Sequence, residues 1–307
     1  DVIRGVTLHL HHTGTVNVGL TRDTETVKKS LKAWVDAYNE VASFVDKNTS
    51  YDKEKKEGGP LMSDQTISSL LNNLRLTLIQ RTRGFVIDVD SFLMPGQIGV
   101  ELDGDGLLNL KTSALSDALT KDYRGVLDLI GANKTGGSDS NVIKFYGASN
   151  KNTTAGAYKV EVTISGGTIT GARIRSENDT VWRDASFYDN IVMGDNTFDE
   201  YNRPLYPENG LQLSVDLSQD GTFTATVRVK QGFTGAMENV LDNVMDKTRG
   251  MLTLNQNEIQ SQIKRLQDQI DKEEKRLTQV EERLSARYAR LEKSLTLLQN
   301  QFAALVR

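Results

Sequence analysis

Cysteine is absent from this chain of 307 residues, and histidine occurs only at positions 9, 11 and 12. A chain without thiols cannot form a disulfide, a thiolate metal site or a cysteine nucleophile. Any Ser-His-Asp catalytic set would have to use one of the three neighbouring histidines. Since the sequence supplies no convincing set of titratable residues for an active site, we expect neither an enzyme nor a bound cofactor.

Long apolar runs and a surplus of either charge are also lacking. No run approaches the roughly 20 residues that cross a bilayer, and no secretory signal is recognisable. Lysine and arginine number 37 against 41 aspartates and glutamates, a formal net charge of −4. This balance argues against nucleic acid as a partner, because such binding depends on basic residues at phosphates. The first residue is Asp1 rather than Met, so we expect a segment of a longer protein or a processed chain.

The three histidines also raise the question of a metal site, because His9 and His11 lie two positions apart in a predicted strand. His9 and His11 would face the same side and could share a metal ion. No third protein ligand can be identified in the sequence. The pattern therefore favours solvated side chains, and we expect no metal site.

Two amphipathic helices are predicted in the first 134 residues. Apolar residues recur at spacings of three and four over residues 27–45, and Asp23 precedes them as a good N-cap. A second such stripe covers residues 67–78, with Ser63 or Asp64 as its cap. Two helices joined by a loop tend to pack antiparallel, stripe against stripe. We therefore expect a helical pair.

Strand-like patterns accompany this pair. Apolar and polar residues alternate between residues 6 and 18 and predict strands. Residues 84–110 return to strand-like spacing, and Asp-Gly-Asp-Gly at 103–106 predicts a β-hairpin turn. Asp103 and Asp105 also suggest a calcium loop, but the further ligands of an EF-hand are missing. The hairpin turn is the favoured interpretation.

Residues 135–232 differ in composition and predict an inserted antiparallel β domain. Apolar residues alternate with polar ones over residues 158–164, 211–217 and 223–229. Gly-Gly and Asp-Gly pairs lie between such runs, as hairpin turns do. The sequence thus predicts an α+β chain with three domains. These are a mixed strand and helix-pair domain over 1–134, the inserted β domain over 135–232, and a C-terminal helix over 233–307 that returns to the helical domain and continues as a coiled coil.

The end of the chain predicts one long coiled-coil helix. No glycine or proline follows Gly250, and 57 residues would give a helix about 85 Å long. Thirteen apolar residues recur there at heptad spacing, with one stutter between Leu284 and Tyr288 and with Glu273 at one seam position. We call these thirteen residues the seam. They are Ile259, Ile263, Leu266, Ile270, Leu277, Val280, Leu284, Tyr288, Leu291, Leu295, Leu298, Phe302 and Leu305.

The seam is the candidate protein–protein site. A single helix held in solvent by charge pairs is the alternative, but the seam is too apolar for it. No other segment of this sequence is long enough to cover the seam. The partner is therefore expected to be another chain, or a part of the protein that this sequence does not include.

Several short motifs follow one another in a fixed order along the chain. They are Gly-Val-Thr-Leu-His-Leu at 5–10, Trp-Val-Asp-Ala-Tyr-Asn at 34–39, Gly-Pro-Leu at 59–61, Asp-Gly-Leu-Leu at 105–108 and Arg-Tyr-Ala-Arg-Leu-Glu-Lys at 287–293. Taken in this order, the motifs resemble the C-terminal half of the flagellar filament cap proteins (FliD, also called hook-associated protein 2). Residues 135–232 match no fixed motif of that family.

The resemblance implies a structural role without covalent chemistry. Proteins of this family leave the cell through the flagellar type III channel and form a homo-oligomeric ring at the filament tip, where flagellin folds and inserts. The implied partners are other copies of the chain, flagellin, other hook-associated proteins and an export chaperone. The alternative is a surface adhesin or filament-tip binding module, whose residues 135–232 contact a host surface ligand.

Overall fold

The computed structural model describes residues 9, 11–15, 17, 19, 21–52, 54, 56–62 and 64–305. They form an α+β fold with antiparallel sheets and a long C-terminal helix, as predicted. The apolar positions of the strands predicted between residues 6 and 18 lie outside the described residues. Two compact units are present: residues up to 63 together with Leu71–Met237, and Asp64–Leu70 together with Glu238–Arg307. The division into three domains stays a prediction.

Helix α1 (Thr24–Thr49) confirms the first predicted helix and its cap. The Asp23 carboxylate accepts a hydrogen bond from the backbone N–H of Thr26 at 2.9 Å. Hydrogen bonds from Thr26 lower the pKa of Asp23. The buried face consists of the predicted apolar stripe, with Leu31, Val35, Tyr38, Ala42 and Val45 inside.

Helix α2 (Gln65–Ile79) follows a two-stranded ladder of β1 (Tyr51–Asp52) and β2 (Glu57–Gly58). The Asp64 carboxylate caps this helix, accepting from the backbone N–H of Thr66 at 2.9 Å and of Ile67 at 3.3 Å. Leu71, Leu74 and Leu78 are buried, as the stripe predicted.

The hairpin is confirmed, but the strand-like interpretation of residues 84–98 is wrong. Strands β3 (Val100–Leu102) and β4 (Leu108–Leu110) pair antiparallel around the predicted turn. Residues 84–98 form turns and a 3-10 helix at Pro95–Ile98. Gly84 and Asp88 have φ of 83° and 68°, values that no strand accommodates.

The turn explains Asp103, one of the two aspartates that suggested calcium. The Asp103 carboxylate accepts from the backbone N–H groups of Asp105 at 3.0 Å and Leu107 at 2.9 Å. The Asp103 side chain therefore stabilises the turn through hydrogen bonds to the backbone of the turn itself. The hairpin is held to α1 by Asn39, whose side chain donates to the Leu108 carbonyl at 2.9 Å and accepts from the Leu108 N–H at 2.7 Å.

Two short helices, α3 (Thr112–Lys121) and α4 (Tyr123–Gly131), complete this part. Leu129 is fully buried, whereas Leu127 is 38% exposed. Leu127 lines an apolar groove of about 380 Å³ between α4 and the first turns of α1.

A β-sandwich forms from the predicted β domain and its flanks. The strands are β5 (Asn133–Ser138), β6 (Ile143–Gly147), β7 (Gly156–Ser165), β8 (Thr168–Ser176), β9 (Arg183–Asp184), β10 (Ser186–Tyr188), β11 (Ile191–Met193), β12 (Gln212–Val215) and β13 (Gly221–Gln231). One sheet has the order β5-β13-β7-β8-β9 and the other the order β10-β11-β12-β6. Alternate residues of both sheets form one buried apolar cluster, which confirms the alternation seen in the sequence.

Helices α5 (Phe233–Met245) and α6 (Met251–Leu305) end the chain. Phe233 is fully buried and meets the Trp34 ring edge-on, with ring centroids 5.3 Å apart. The single long helix predicted after Gly250 is confirmed. None of the described helices combines the length and apolar composition that a membrane-spanning segment requires.

Candidate assembly surface on the C-terminal helix

A tight turn starts helix α6. The Asp246 carboxylate accepts from the backbone N–H groups of Arg249 at 2.7 Å and Thr248 at 2.8 Å, and these bonds lower its pKa. A Cβ on Gly250 would lie 2.4 Å from the carbonyl oxygens of Asp246 and Val244. Only glycine fits at that point, which explains why the last glycine of the chain precedes the helix.

The seam occupies one face of α6. At about 100° per residue, the thirteen positions fall within an arc of roughly 120° on the helix surface. Eleven of them expose between 46% and 69% of their surface, and Val280 is half-buried. Leu305 lies on the same helix, beyond the described side chains. The structure therefore places the predicted site residues together on a face that is largely open to solvent.

Glu273 interrupts this apolar face. Its carboxylate pairs with the Arg276 guanidinium one turn later at 3.0 Å, and both side chains are well exposed. Near the start of the seam, Glu258 accepts from Gln262 at 3.2 Å and from Arg265 at 3.4 Å, which lowers the pKa of Glu258. Pairs of this kind on an exposed helix contribute little stability, because solvent screens them.

Two exposed leucines of α6 lie off the seam. Leu254 and Leu297 expose 57% and 54% of their surface. They lie roughly 120° or more from the middle of the seam, and their spacing does not follow the heptads. Sequence periodicity gave no reason to single them out. Leu297 is a useful reference because its neighbour Leu298 belongs to the seam and is equally exposed, at 51%.

A second exposed apolar surface lies on strand β10 of the sandwich. Every residue of β10 is exposed, and Phe187 and Tyr188 show 41% and 76% of their surface. β10 forms one edge of its four-stranded sheet, so one side of its backbone has no partner among the described strands. The sequence offered no signal for it, because a strand of three residues is too short to show alternation.

The structure describes all three histidines that the sequence raised as possible metal ligands. His9, His11 and His12 are exposed. Among the described residues, no group of three or more histidine or acidic side chains is placed to hold a metal ion.

Comparison with known proteins gives a consistent result. The family model described as "Flagellar hook-associated protein 2 C-terminus" matches residues 1–300. Flagellar hook-associated protein 2 of Helicobacter pylori J99 is 32% identical over 135 residues, which are 42% of this chain and 19% of that protein. The protein of the same name from Escherichia coli K12 is 30% identical over 118 residues, 36% of this chain and 24% of that one.

A solved structure is similar in sequence over part of the chain. The crystal structure of the flagellar cap protein FliD D1-D2-D3 domains from Escherichia coli is 32% identical, covers 36% of this chain and 28% of that chain, and superposes with a TM-score of 0.31. The alignments with the two curated relatives thus span about a fifth to a quarter of their length.

Proposed function

Because the chain belongs to the family of flagellar hook-associated protein 2 C-terminal segments, we propose that it is a structural subunit of the flagellar filament cap. It acts at the filament tip, outside the cell, after export through the flagellar type III channel. There it assembles into a homo-oligomer and promotes the folding and insertion of flagellin. The family is structural rather than enzymatic, so the chain acts by binding and releasing other proteins and not by covalent chemistry.

The exposed seam of α6 carries this proposal. An apolar face that is about 65 Å long from Ile259 to Phe302 is a candidate association surface rather than a stable free surface. Covering the exposed half of each of eleven large apolar side chains gains about 1 kcal/mol apiece before the costs of association. Such a gain suits a subunit that binds other copies of itself, other hook-associated proteins, flagellin and, before export, a chaperone.

Two lysine substitutions in the seam test the proposal. Leu291→Lys with Leu298→Lys places two charges on the face to be buried, and we expect cap function to be lost. Cells carrying the variant should release flagellin as monomer and fail to grow filaments, as electron microscopy and an immunoblot of the medium would show. The matched control is Leu297→Lys, equally exposed but off the seam. Normal filaments in the double variant would contradict the proposal.

Adhesion through the β-sandwich is the second candidate function. The observation that favours it is the exposed edge strand β10 with Phe187 and Tyr188, which could contact a host surface ligand. Phe187→Ser with Tyr188→Ser should then yield motile cells that no longer adhere, whereas Tyr146→Ser on β6, also exposed, should leave adhesion unchanged. Full adhesion by the double variant, or by cells lacking residues 135–232, would exclude this role.

A further inference from the structure

We propose that the exposed side chains of residues 177–208, on the β-sandwich, form a docking surface for a basic and apolar segment of another protein. We call these side chains the acidic aromatic surface. The inference deepens the second candidate function, on which its role in the cell rests, by naming the class of ligand. Two properties of this part of the sandwich carry it, namely the exposure of large apolar side chains and an excess of negative charge.

Large apolar side chains are concentrated on this surface. Residues 177–208 hold 6 of the 20 aromatic residues of the chain. Among the described residues of the sandwich outside this segment, only Tyr146 is a comparably exposed large apolar side chain. Exposed patches of this kind mark interaction sites, and aromatic residues are enriched at the centres of protein interfaces. Seven side chains expose between 37% and 76% of their surface: Val181, Phe187, Tyr188, Phe198, Tyr201, Leu205 and Tyr206.

The surface has two parts that meet at Arg183. One part follows strands β9 and β10, and the other is the long loop between β11 and β12. The Arg183 guanidinium on β9 lies 4.6 Å from the ring centroid of Tyr206 in the loop and pairs with the Glu208 carboxylate. Within the loop, the backbone N–H of Leu205 donates to the Thr197 carbonyl at 3.1 Å. The exposed rings are therefore carried by a hydrogen-bonded scaffold.

Acidic residues surround these rings. Residues 177–208 hold eight acidic residues and two arginines, a local net charge of −6, whereas the whole chain has a net charge of −4. Both arginines are already paired with carboxylates of the same segment. Asp184, Asp189 and Glu200 are exposed, and none of the three forms an ion pair within the described part of the chain. The surface thus carries an excess of exposed negative charge.

This combination fits a polypeptide that is both basic and apolar. Rings of this segment already accept cations of the chain itself, since the Arg203 guanidinium lies 5.3 Å from the Tyr201 ring centroid and that of Arg173 lies 4.8 Å from the Trp182 centroid. Lysine or arginine of a partner would find further rings beside exposed carboxylates, and apolar partner residues would cover Phe187. The aromatic side chains would supply affinity, and the charges would select the partner.

Other classes of ligand fit this surface less well. Anionic lipid headgroups and nucleic acids attract basic proteins, and exposed carboxylates repel them. A neutral glycan could cover the rings but would make no use of the negative charge. A basic polypeptide uses both properties, so we assign the surface to it.

Two labelled peptides test the charge of the ligand. Fluorescence anisotropy measures binding of the full chain to a fluorescein-labelled peptide of alternating leucine and arginine, and to one of alternating leucine and glutamate. We expect the arginine peptide to bind at least about tenfold more tightly, and to lose affinity between about 0.05 M and about 0.5 M salt because salt screens exposed charges. Equal affinity for the two peptides would overturn the proposal.

Neutralising the exposed carboxylates tests their position. Asp184→Asn combined with Asp189→Asn and Glu200→Gln keeps the shape of each side chain and should weaken binding of the arginine peptide at least about fivefold. Circular dichroism and thermal unfolding check that the variant folds as the parent chain does.

The matched control removes the same charge elsewhere. Glu40→Gln combined with Asp105→Asn and Asp117→Asn changes three exposed carboxylates outside the sandwich, and this variant should bind the arginine peptide as the parent chain does. An equal loss of binding in the control would show that net charge alone attracts the peptide, and it would overturn the docking surface.

The aromatic part of the surface is tested separately. Phe187→Ser with Tyr188→Ser should also weaken binding at least about fivefold, whereas Tyr146→Ser, exposed on β6, should not. Full binding by the double variant would overturn the assignment of the site. Displacement of the peptide by maltoheptaose, a neutral oligosaccharide, would assign the surface to glycans instead and would also overturn the proposal.

This inference and the adhesive function fail separately. If Phe187→Ser with Tyr188→Ser abolishes adhesion of cells but the purified chain does not prefer the arginine peptide, the surface is adhesive and only the class of ligand is wrong. If the purified chain and its variants bind the peptides as expected but the double variant still adheres fully, the inference stands and the adhesive function is wrong.

Discussion

The side-chain amide of Asn255 donates a hydrogen bond to the carboxylate of Asp64 at 2.9 Å. The other oxygen of that carboxylate caps α2 through the backbone N–H of Thr66. One side chain thus holds the first turn of α2 against the first turns of α6, although 191 positions separate the two residues in the chain. The base of the long helix is fixed by polar contacts.

Removing Asp64 should weaken both helices at once. We expect Asp64→Ala to lower the free energy of unfolding by about 2 kcal/mol, because it removes a helix cap and a charge-assisted hydrogen bond. Asn255→Ala removes only the second contact and should cost about 1 kcal/mol. Urea unfolding followed by circular dichroism measures both, with Asn257→Ala, exposed on the same helix, as the control. Equal stability of Asp64→Ala and the parent chain would show that the carboxylate holds nothing.

A buried ion pair holds the long loop before β12 to the sandwich. Glu208 is fully buried, and its carboxylate receives two hydrogen bonds from Arg183, one of them at 3.0 Å. The hydrogen bond to Glu208 raises the pKa of the Arg183 guanidinium, and a hydrogen bond to Asp179 adds a smaller effect in the same direction. The guanidinium also stacks on the ring of Tyr206. Arg183→Met leaves a buried carboxylate unpaired and should cost about 3 to 5 kcal/mol. Thermal unfolding should show the double variant Arg183→Met with Glu208→Met to be more stable than Arg183→Met alone; the reverse order would contradict this account.

Lys134 should make stability depend on pH in the alkaline range. The residue is 5% exposed and donates to Gln231 at 2.8 Å. Burial, and then the charge of Arg83, lowers the pKa of this amine from 10.5 to about 8. Between these values the unfolded chain binds more protons than the folded chain, so the free energy of unfolding rises with pH, by roughly 2 to 3 kcal/mol.

The comparison with Lys134→Met isolates this contribution. The variant has no amine at this position, so the rise between pH 7.5 and 10 should shrink, while other titrating groups contribute equally to both proteins. Urea unfolding of the parent chain and of Lys134→Met, each at pH 7.5 and pH 10, gives the four free energies of unfolding that the comparison requires. If the parent chain and Lys134→Met change by the same amount, burial of the lysine has no energetic consequence.

Gly84 should not tolerate a side chain. Its φ is 83°, and a Cβ there would lie 2.1 Å from the carbonyl oxygen of Val229 on β13. Gly84→Ala combines left-handed strain with a backbone clash and should cost at least about 2 kcal/mol. Gly104→Ala is the matched control, because nothing lies within 4 Å of its added Cβ. Similar melting temperatures for the two variants would contradict the close approach.

Periodicity explains which parts of the fold were predictable. The stripe of α1, the seam of α6 and the alternation of β7, β12 and β13 repeat over enough residues to define a face. Asp23 and the turn at residues 103–106 were predictable because their chemistry is local. Association through the seam stays a prediction.

Long-range contacts explain what could not be predicted. Arg183 and Glu208 are 25 positions apart and meet only once the sandwich has formed. Residues 84–98 have strand-like composition, but their turns include Gly84 and Asp88 at positive φ and the helix that begins at Pro95. On α4, Leu129 is fully buried while Leu127, two positions earlier, is 38% exposed, and this difference arises from tertiary packing. Local sequence patterns carry no information about which of these residues tertiary packing brings together or buries.

The open seam has a calorimetric consequence. Helix α6 contributes 55 residues, yet most of its large apolar side chains are already hydrated before the chain unfolds. The heat capacity change of unfolding arises from newly hydrated apolar surface. Melting of α6 in the free chain should therefore absorb heat while adding almost nothing to that change. A scanning calorimeter should therefore record, for the free chain, the heat capacity change expected of a protein of about 250 residues. Assembly through the seam would raise this heat capacity change to the value expected for the full length, because the seam would then be buried before unfolding.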